Sequence, residues 1–320
     1  MKTLRLKALA FMILAMVAGE GWAVAQDSNT TNDLDRQLLR SSDLGDVASV
    51  RHLLDKGADA EARGHNGFTA LAMAAEHGNV AMVKLLLEKG ANVGAKDETG
   101  ETALVLTARS GNPEITELLL RRTSDAGEKN QALFAAAGGG PVVIQMEADG
   151  RAAGPAPRAA WESPWLKTVE LLLDGGAYIQ ARDSERSTPL IRAASLGQTD
   201  IFILLLERGA DIQARDKYGN TALIAAACEC ALATMNSTYD IVKILLQKGA
   251  NPNAHSRDGP TALMNAAGGF GDAAIVKLLL ESGADPTGKN KHGDTALALA
   301  IKSERSDKIR LLKQAITHAH

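Results

Sequence analysis

A short block of sequence returns every 33 residues along most of this chain. It is read first as Gly67-Phe68-Thr69-Ala70-Leu71, followed by Leu85-Leu86-Leu87-Glu88-Lys89-Gly90-Ala91-Asn92. It recurs at Gly100-Glu101-Thr102-Ala103-Leu104, Ser187-Thr188-Pro189-Leu190, Gly219-Asn220-Thr221-Ala222-Leu223, Gly259-Pro260-Thr261-Ala262-Leu263 and Gly293-Asp294-Thr295-Ala296-Leu297. A unit this small cannot bury its own apolar face, so a period in this range implies stacked supersecondary units sharing one extended core. With aromatic residues at only 3% and apolar residues at 45%, that core has to be built from Ala and Leu in thin layers.

Within a unit the pattern predicts two short helices and a hairpin-like connector. Thr69 opens a helix running to about Glu76, His77-Gly78-Asn79 makes a turn, and Val80 to Glu88 forms a second helix with Val83, Leu86 and Leu87 on one face. Gly90 then supplies a residue free to take left-handed φ at the helix end, and Gly57, Gly176, Gly209, Gly249 and Gly283 repeat it.

In these residues the chain resembles the ankyrin-repeat family, whose consensus is close to D-x-x-G-x-T-P-L-H-x-A-A-x-x-G-x-x-x-V-x-x-L-L-x-x-G-A-D-x-N-A. The best match runs from Asp216 to Ala254, and the resemblance extends from about residue 34 to 320. The family's T-P-L-H is replaced by Thr-Ala-Leu-Ala, Thr-Ala-Leu-Val, Thr-Pro-Leu-Ile or Thr-Ala-Leu-Met, which removes a hydrogen-bonding His and keeps the apolar packing. The resemblance implies an all-α ankyrin-type solenoid of about eight helix-turn-helix repeats with hairpin-like fingers. Asp33 to Arg63 and the charged stretch Lys302 to His320, with Lys308, Arg310 and Lys313, read as polar end caps.

Spacing shows where the array departs from its period. The connector from the last Leu of one unit to the residue before the next conserved-type Leu is 16 positions in most units, but only 12 from 120 to 132. The span across the two helices is 17 in regular units, against 41 from 132 to 173, 24 from 222 to 246 and 18 from 262 to 280. The fourth unit is therefore expected to lose part of its finger and to carry one long insertion, 138–164, at the opposite rim. Insertions in solenoids gather on one face, often the one that binds.

Residues 1–25 read as an export signal and are set apart from the fold. Lys2, Arg5 and Lys7 precede the apolar run Ala8 to Gly19, and Ala23-Val24-Ala25 supplies a small-x-small cleavage site before Gln26. Twelve apolar residues are too few to span a bilayer. Residues 26–33 read as a flexible lead into the array. The whole chain carries a net charge of −3, and losing three cations and Glu20 leaves −5. A mildly acidic chain is a poor phosphate-backbone binder, so no nucleic-acid partner is expected. No membrane span is expected after signal cleavage.

The candidate contact residues fall into three groups. Trp161 and Trp165 lie at the end of the insertion, where exposed indoles would anchor a partner and folded-down indoles would cover an apolar seam. Arg63, Lys96, Arg182, Arg215, His255 and Lys289 each fall nine residues after the final Leu of their unit, so they should align along one edge; Arg182, Arg215 and the neighbouring Tyr218 are taken as partner-facing. Asp97, Asp183 and Asp216 follow directly, and a self-compensated turn is the plainer reading. Cys228 and Cys230 are the only cysteines. On a continuous helix residues i and i+2 point about 200° apart, so a local disulfide requires the helix to end there; two thiols are the alternative.

The histidines form no ligand constellation, and no catalytic motif is present. No catalytic residue, metal site or cofactor is assigned. The family resemblance implies noncatalytic recognition of another protein through fingers and inner helices, and the leader implies that this happens in a bacterial periplasm or outside the cell. Two alternatives remain at this point: a secreted effector or toxin-neutralising protein on the same fold, and an enzyme with its site in the insertion.

Overall fold

Helices of six to thirteen residues are marginal by themselves in water, so their arrangement is set by what they lean on. A computed structural model describes residues 33–139, 163–228, 235–269 and 273–318. The described residues form eight antiparallel helix pairs: α1 (Asp33–Asp43) with α2 (Val47–Asp55), α3 (Ala70–Glu76) with α4 (Val80–Glu88), α5 (Ala103–Ser110) with α6 (Pro113–Leu120), and α7 (Ala126–Ala137) with α8 (Pro164–Asp174). The series continues with α9 (Pro189–Ser195) and α10 (Thr199–Glu207), α11 (Ala222–Ala227) and α12 (Met235–Gln247), α13 (Ala262–Gly268) and α14 (Ala273–Glu281), and α15 (Ala296–Lys302) and α16 (Ser306–His318). First helices stack on first helices and second helices on second helices throughout, which makes one continuous α-solenoid.

The core is as thin as the composition requires. Ala70, Leu71, Ala74 and Ala75 of α3 are sealed, as are Met82, Val83, Leu85 and Leu86 of α4, and a single apolar cluster runs from Leu38 to Leu312. Each fully buried Leu contributes on the order of 1.5–3 kcal/mol, so each unit's stability resides in its interfaces with its neighbours. The positions where the family consensus has His are taken by Ala72, Val105, Ile191, Ile224 and Met264, all buried.

Loop glycines do the work anticipated for them. Gly57, Gly90, Gly176, Gly209, Gly249 and Gly283 have φ between 82° and 93°, a region costly for any other residue. Two analogous turns lack glycine: Arg186 (φ 57°) stands where Gly219 stands in the next finger, and Glu304 (φ 56°) stands where other inter-helix turns have Gly78 or Gly197. Left-handed backbone costs an L-residue about 1–2 kcal/mol, partly offset by the entropy glycine would lose on folding. Arg186→Gly is therefore expected to raise stability by up to about 1 kcal/mol. An unchanged or lower urea midpoint would contradict that expectation.

The structure refines several boundaries. The first helix begins at Asp33, one residue inside the stretch read as flexible. Gly138 and Gly139 are described and pack near Arg192 and Gln198, while Pro164 already belongs to α8, so the two helices of the fourth unit are joined through 138–163. The terminal cap is less polar than its sequence suggests. Lys308 is fully buried, and its Nζ donates to the carbonyls of Ala266 (2.7 Å) and Gly269 (3.0 Å) at the C-terminal end of α13. A cation there meets carbonyls that the helix cannot satisfy internally.

Candidate functional site

The connectors project as six fingers, 59–69, 92–102, 178–188, 211–221, 251–261 and 285–295, in which a backbone bond closes every hairpin and side-chain caps and ties recur in most. A threonine ends the finger and starts the next helix: Thr69, Thr188, Thr221, Thr261 and Thr295 accept from the backbone N–H three residues on, at 3.2–3.4 Å. An Asp or Asn ties the tip. Asp97, Asp183, Asp216 and Asn290 each accept from the N–H groups two and four residues later at 2.8–2.9 Å. Backbone bonds such as Asp97 N to Glu101 O (2.9 Å) and Asp216 N to Asn220 O (3.0 Å) close each hairpin. No extended strand occurs among the described residues; His255 and Thr261 form an isolated bridge.

Adjacent fingers are bonded to one another. Backbone links run from Glu98 N to Asn66 O (2.9 Å), Lys217 N to Glu185 O (2.8 Å), Arg257 N to Tyr218 O (2.7 Å) and Lys291 N to Asp258 O (3.1 Å). The arginines of the aligned row add side-chain links. Arg182 donates through Nη1 to Arg186 O in its own finger and Arg215 O in the next, both at 2.8 Å. Arg215 does the same to Gly219 O and His255 O, and Arg63 to Gly67 O and Lys96 O. The row is aligned, but its guanidinium groups splice one finger to the next. The following aspartates tie backbone N–H groups, so the charge compensation expected between the two is not how these turns are held.

Tyr218 sits on a fingertip and remains 53% exposed, with Lys217 Nζ 4.9 Å from its ring centroid. Lys217 also pairs with Glu185, and that hydrogen bond holds the Glu185 carboxyl below the usual carboxylate range. Tyr178, at the base of another finger, is likewise exposed.

The finger row has one gap, between the third and fourth units, where α7 begins already at Ala126 and carries helix into the space a finger would occupy. Here Thr102 does not cap α5; its hydroxyl donates to Glu128 Oε1 at 2.6 Å. Glu128 is buried, and burial raises its carboxyl pKa, with Asp125 pushing the same way and Thr102 opposing. A carboxyl raised in the folded state contributes its full share of stability below the ordinary carboxylate range and loses it as pH rises through the folded value. Glu128→Gln keeps the acceptor for Thr102 without the charge. It should raise the melting temperature near pH 8, with the gain shrinking toward zero near about pH 4. A gain that grows on acidification would reverse the sign argued here.

On the opposite rim, Trp165 is half-buried at the start of α8. Its Nε1 donates to Arg109 O (2.9 Å), and its ring lies so close over Gly111 that an added Cβ there would fall 2.5 Å from it. The indole covers the turn between α5 and α6. Trp161 and Cys230 lie outside the described residues. Helix α11 ends at Ala227, and Cys228 is exposed just beyond it. Among the described residues the open clefts include one of about 610 Å³ along this rim, bordered by Glu76, Gly111 and Lys167, and one of about 660 Å³ between the last two fingers, bordered by His255, Arg257 and Lys289. Among the described residues no three His, Cys, Asp or Glu side chains converge on a point suited to a metal ion. No helix among them is long and apolar enough to cross a membrane.

Sequence reasoning located the row, its alignment and the shortened connector into the fourth unit. It missed the forward reach of the arginines, although Arg at a 33-residue repeat beside an Asp-x-x-Gly turn was the available signal. It also missed Glu128, which with Asp125 falls where other units have finger. A family model of ankyrin repeats matches the chain three times, over residues 38–132, 158–235 and 230–319. No curated protein matches it.

Proposed function

The chain belongs to the ankyrin-repeat family, and from that premise we propose that it is a noncatalytic protein-recognition module whose finger edge meets a partner protein outside the bacterial cytoplasm. The observation that carries the reading is the spliced finger row. Backbone and arginine links fix neighbouring fingers before any partner arrives, so little conformational entropy remains to be lost on binding. Exposed Tyr218 gives that edge an amphipathic anchor of the kind that concentrates binding energy. The leader of residues 1–25 supports the location in the periplasm or beyond it.

A photocrosslinking amino acid at Tyr218 tests the reading in intact cells, with Lys243 of the second-helix layer as the comparison site. One protein captured from Tyr218 and not from Lys243 is the expected result. Equal capture from both positions, or none from either, would remove the finger edge from the proposal. Mass spectrometry of the exported chain should find its N-terminus at Gln26; an intact leader would remove the location.

A further inference from the structure

Of the four finger junctions, two are closed by an ion pair, the first sets Glu98 against Asn66, and the junction between fingers 211–221 and 251–261 leaves a cation without a facing carboxylate. Lys217 pairs with Glu185 on the preceding finger (2.5 Å), and Lys291 pairs with Asp258 in the same way (3.1 Å). Arg257 holds the equivalent position on its own finger, but the residue facing it is Tyr218, which offers a backbone carbonyl to Arg257 N and no carboxylate to the guanidinium. Among the described residues the Arg257 side chain makes no hydrogen bond or ion pair. Lys289 is the second unmatched cation. It holds the place of Arg182 and Arg215, whose guanidinium groups reach forward to the next finger; after the finger 285–295 the described chain continues as α15 and α16, and Lys289 has no finger to reach.

Arg257 and Lys289 both line the 660 Å³ cleft between the last two fingers, with Met264 at its floor. The remaining charges there do not cancel them. Lys291 is paired with Asp258, and Asp285, whose carboxylate is held ionised by Thr287 N (2.8 Å) and Thr287 Oγ1 (2.6 Å), sets one negative charge against the two. The chain as a whole carries −3, so this is a local excess of positive charge on a negative body.

Resting on the protein-recognition reading, we propose that this cleft docks an acidic peptide segment of the partner, two of whose carboxylates pair with Arg257 and Lys289. The two side chains provide positive charge that no ion pair within the finger ladder answers, and the rigid fingers hold them apart at a fixed spacing. A charged pair on each side chain also explains how the site would set register along an edge that otherwise repeats every 33 residues.

The probe is a fluorescein-labelled 12-residue peptide of alternating Glu and Ala, followed by anisotropy with the full chain at low salt. Arg257→Gln with Lys289→Gln should weaken its binding about tenfold, because two partly screened ion pairs are lost. Lys84→Gln with Lys277→Gln removes the same charge from the second-helix layer and should leave binding within about twofold. Circular dichroism establishes that both variants are folded. Equal weakening in the two double variants, absence of peptide binding to the unmodified chain, or equally tight binding of an oligothymidine of matched charge would overturn the inference. Loss of peptide binding with persistent capture from Tyr218 would remove the acidic-segment docking alone and leave the wider reading in place.

Discussion

Phe202→Ala is expected to produce the largest loss of stability of any single core truncation in this chain, about 3–5 kcal/mol. Phe202 is the largest fully buried side chain among the described residues, held in α10 between Ile201 and Leu205 within the shared apolar cluster. The layers around it are made of Ala, Leu and Ile on short helices, so little nearby bulk can move in to fill the space an aromatic ring leaves. Because each unit leans only on its neighbours, the damage should be local at first. Hydrogen exchange should accelerate in α8 through α12 before it does so in α1 through α4, and the urea transition should shift down or split. Phe202→Leu, which keeps most of the volume, should cost less than about 1.5 kcal/mol. A urea midpoint for Phe202→Ala within error of the unmodified chain would show that the fifth unit is not packed as described.

Lys308→Met should be nearly as damaging, at about 2–4 kcal/mol, although it replaces a charged residue with an apolar one of similar length. The ammonium is the donor that two carbonyls at the end of α13 share, and Ser303 Oγ donates to a third, Gly268 O, at 3.0 Å. Methionine would fill the space and leave the acceptors shielded from water and unmatched, which is the expensive case for a buried polar group. The last helix pair should then open before the rest, read as early proteolysis within 296–318. Arg310→Met, an exposed neighbour on the same helix, should change stability by no more than about 0.5 kcal/mol. If the two variants behave alike, the buried clasp is not holding the end of the array.

These cases show what the chain disclosed before its structure and what it withheld. Period and composition were enough for helix pairs, for Thr69 and its counterparts at helix starts, and for the positive φ of Gly90 and its counterparts, because each is decided by residues within a few positions of one another. Lys308 was misread because a lysine in a charged helix is usually solvated; only its place four residues before Leu312, on the same helical face, betrayed the burial. The arginine splices were hidden for a different reason. Their acceptors are backbone carbonyls 33 and 40 residues away, and carbonyls leave no mark in a sequence. For Trp165 the sequence favoured cover over anchor, because it stands where Asn79 opens a second helix, but which turn it covers, the one at Gly111, depends on contacts 54 to 56 residues away. Tyr218 and the row residues were found by position, while the unmatched state of Arg257 and Lys289 required knowing which residues face one another.

The gap left by the absent finger between the third and fourth units divides the braced edge into a string of two fingers and a string of four. A rod stiffened along one side bends first where the stiffening stops. Thermal bending of the array should therefore concentrate at that junction, where helix stacking is joined by the Thr102–Glu128 and Trp165–Arg109 hydrogen bonds but by no link between fingers. A ligand gripping both strings would hold a length that fluctuates, and would lose affinity for it. One confined to the later four fingers would read a fixed ruler.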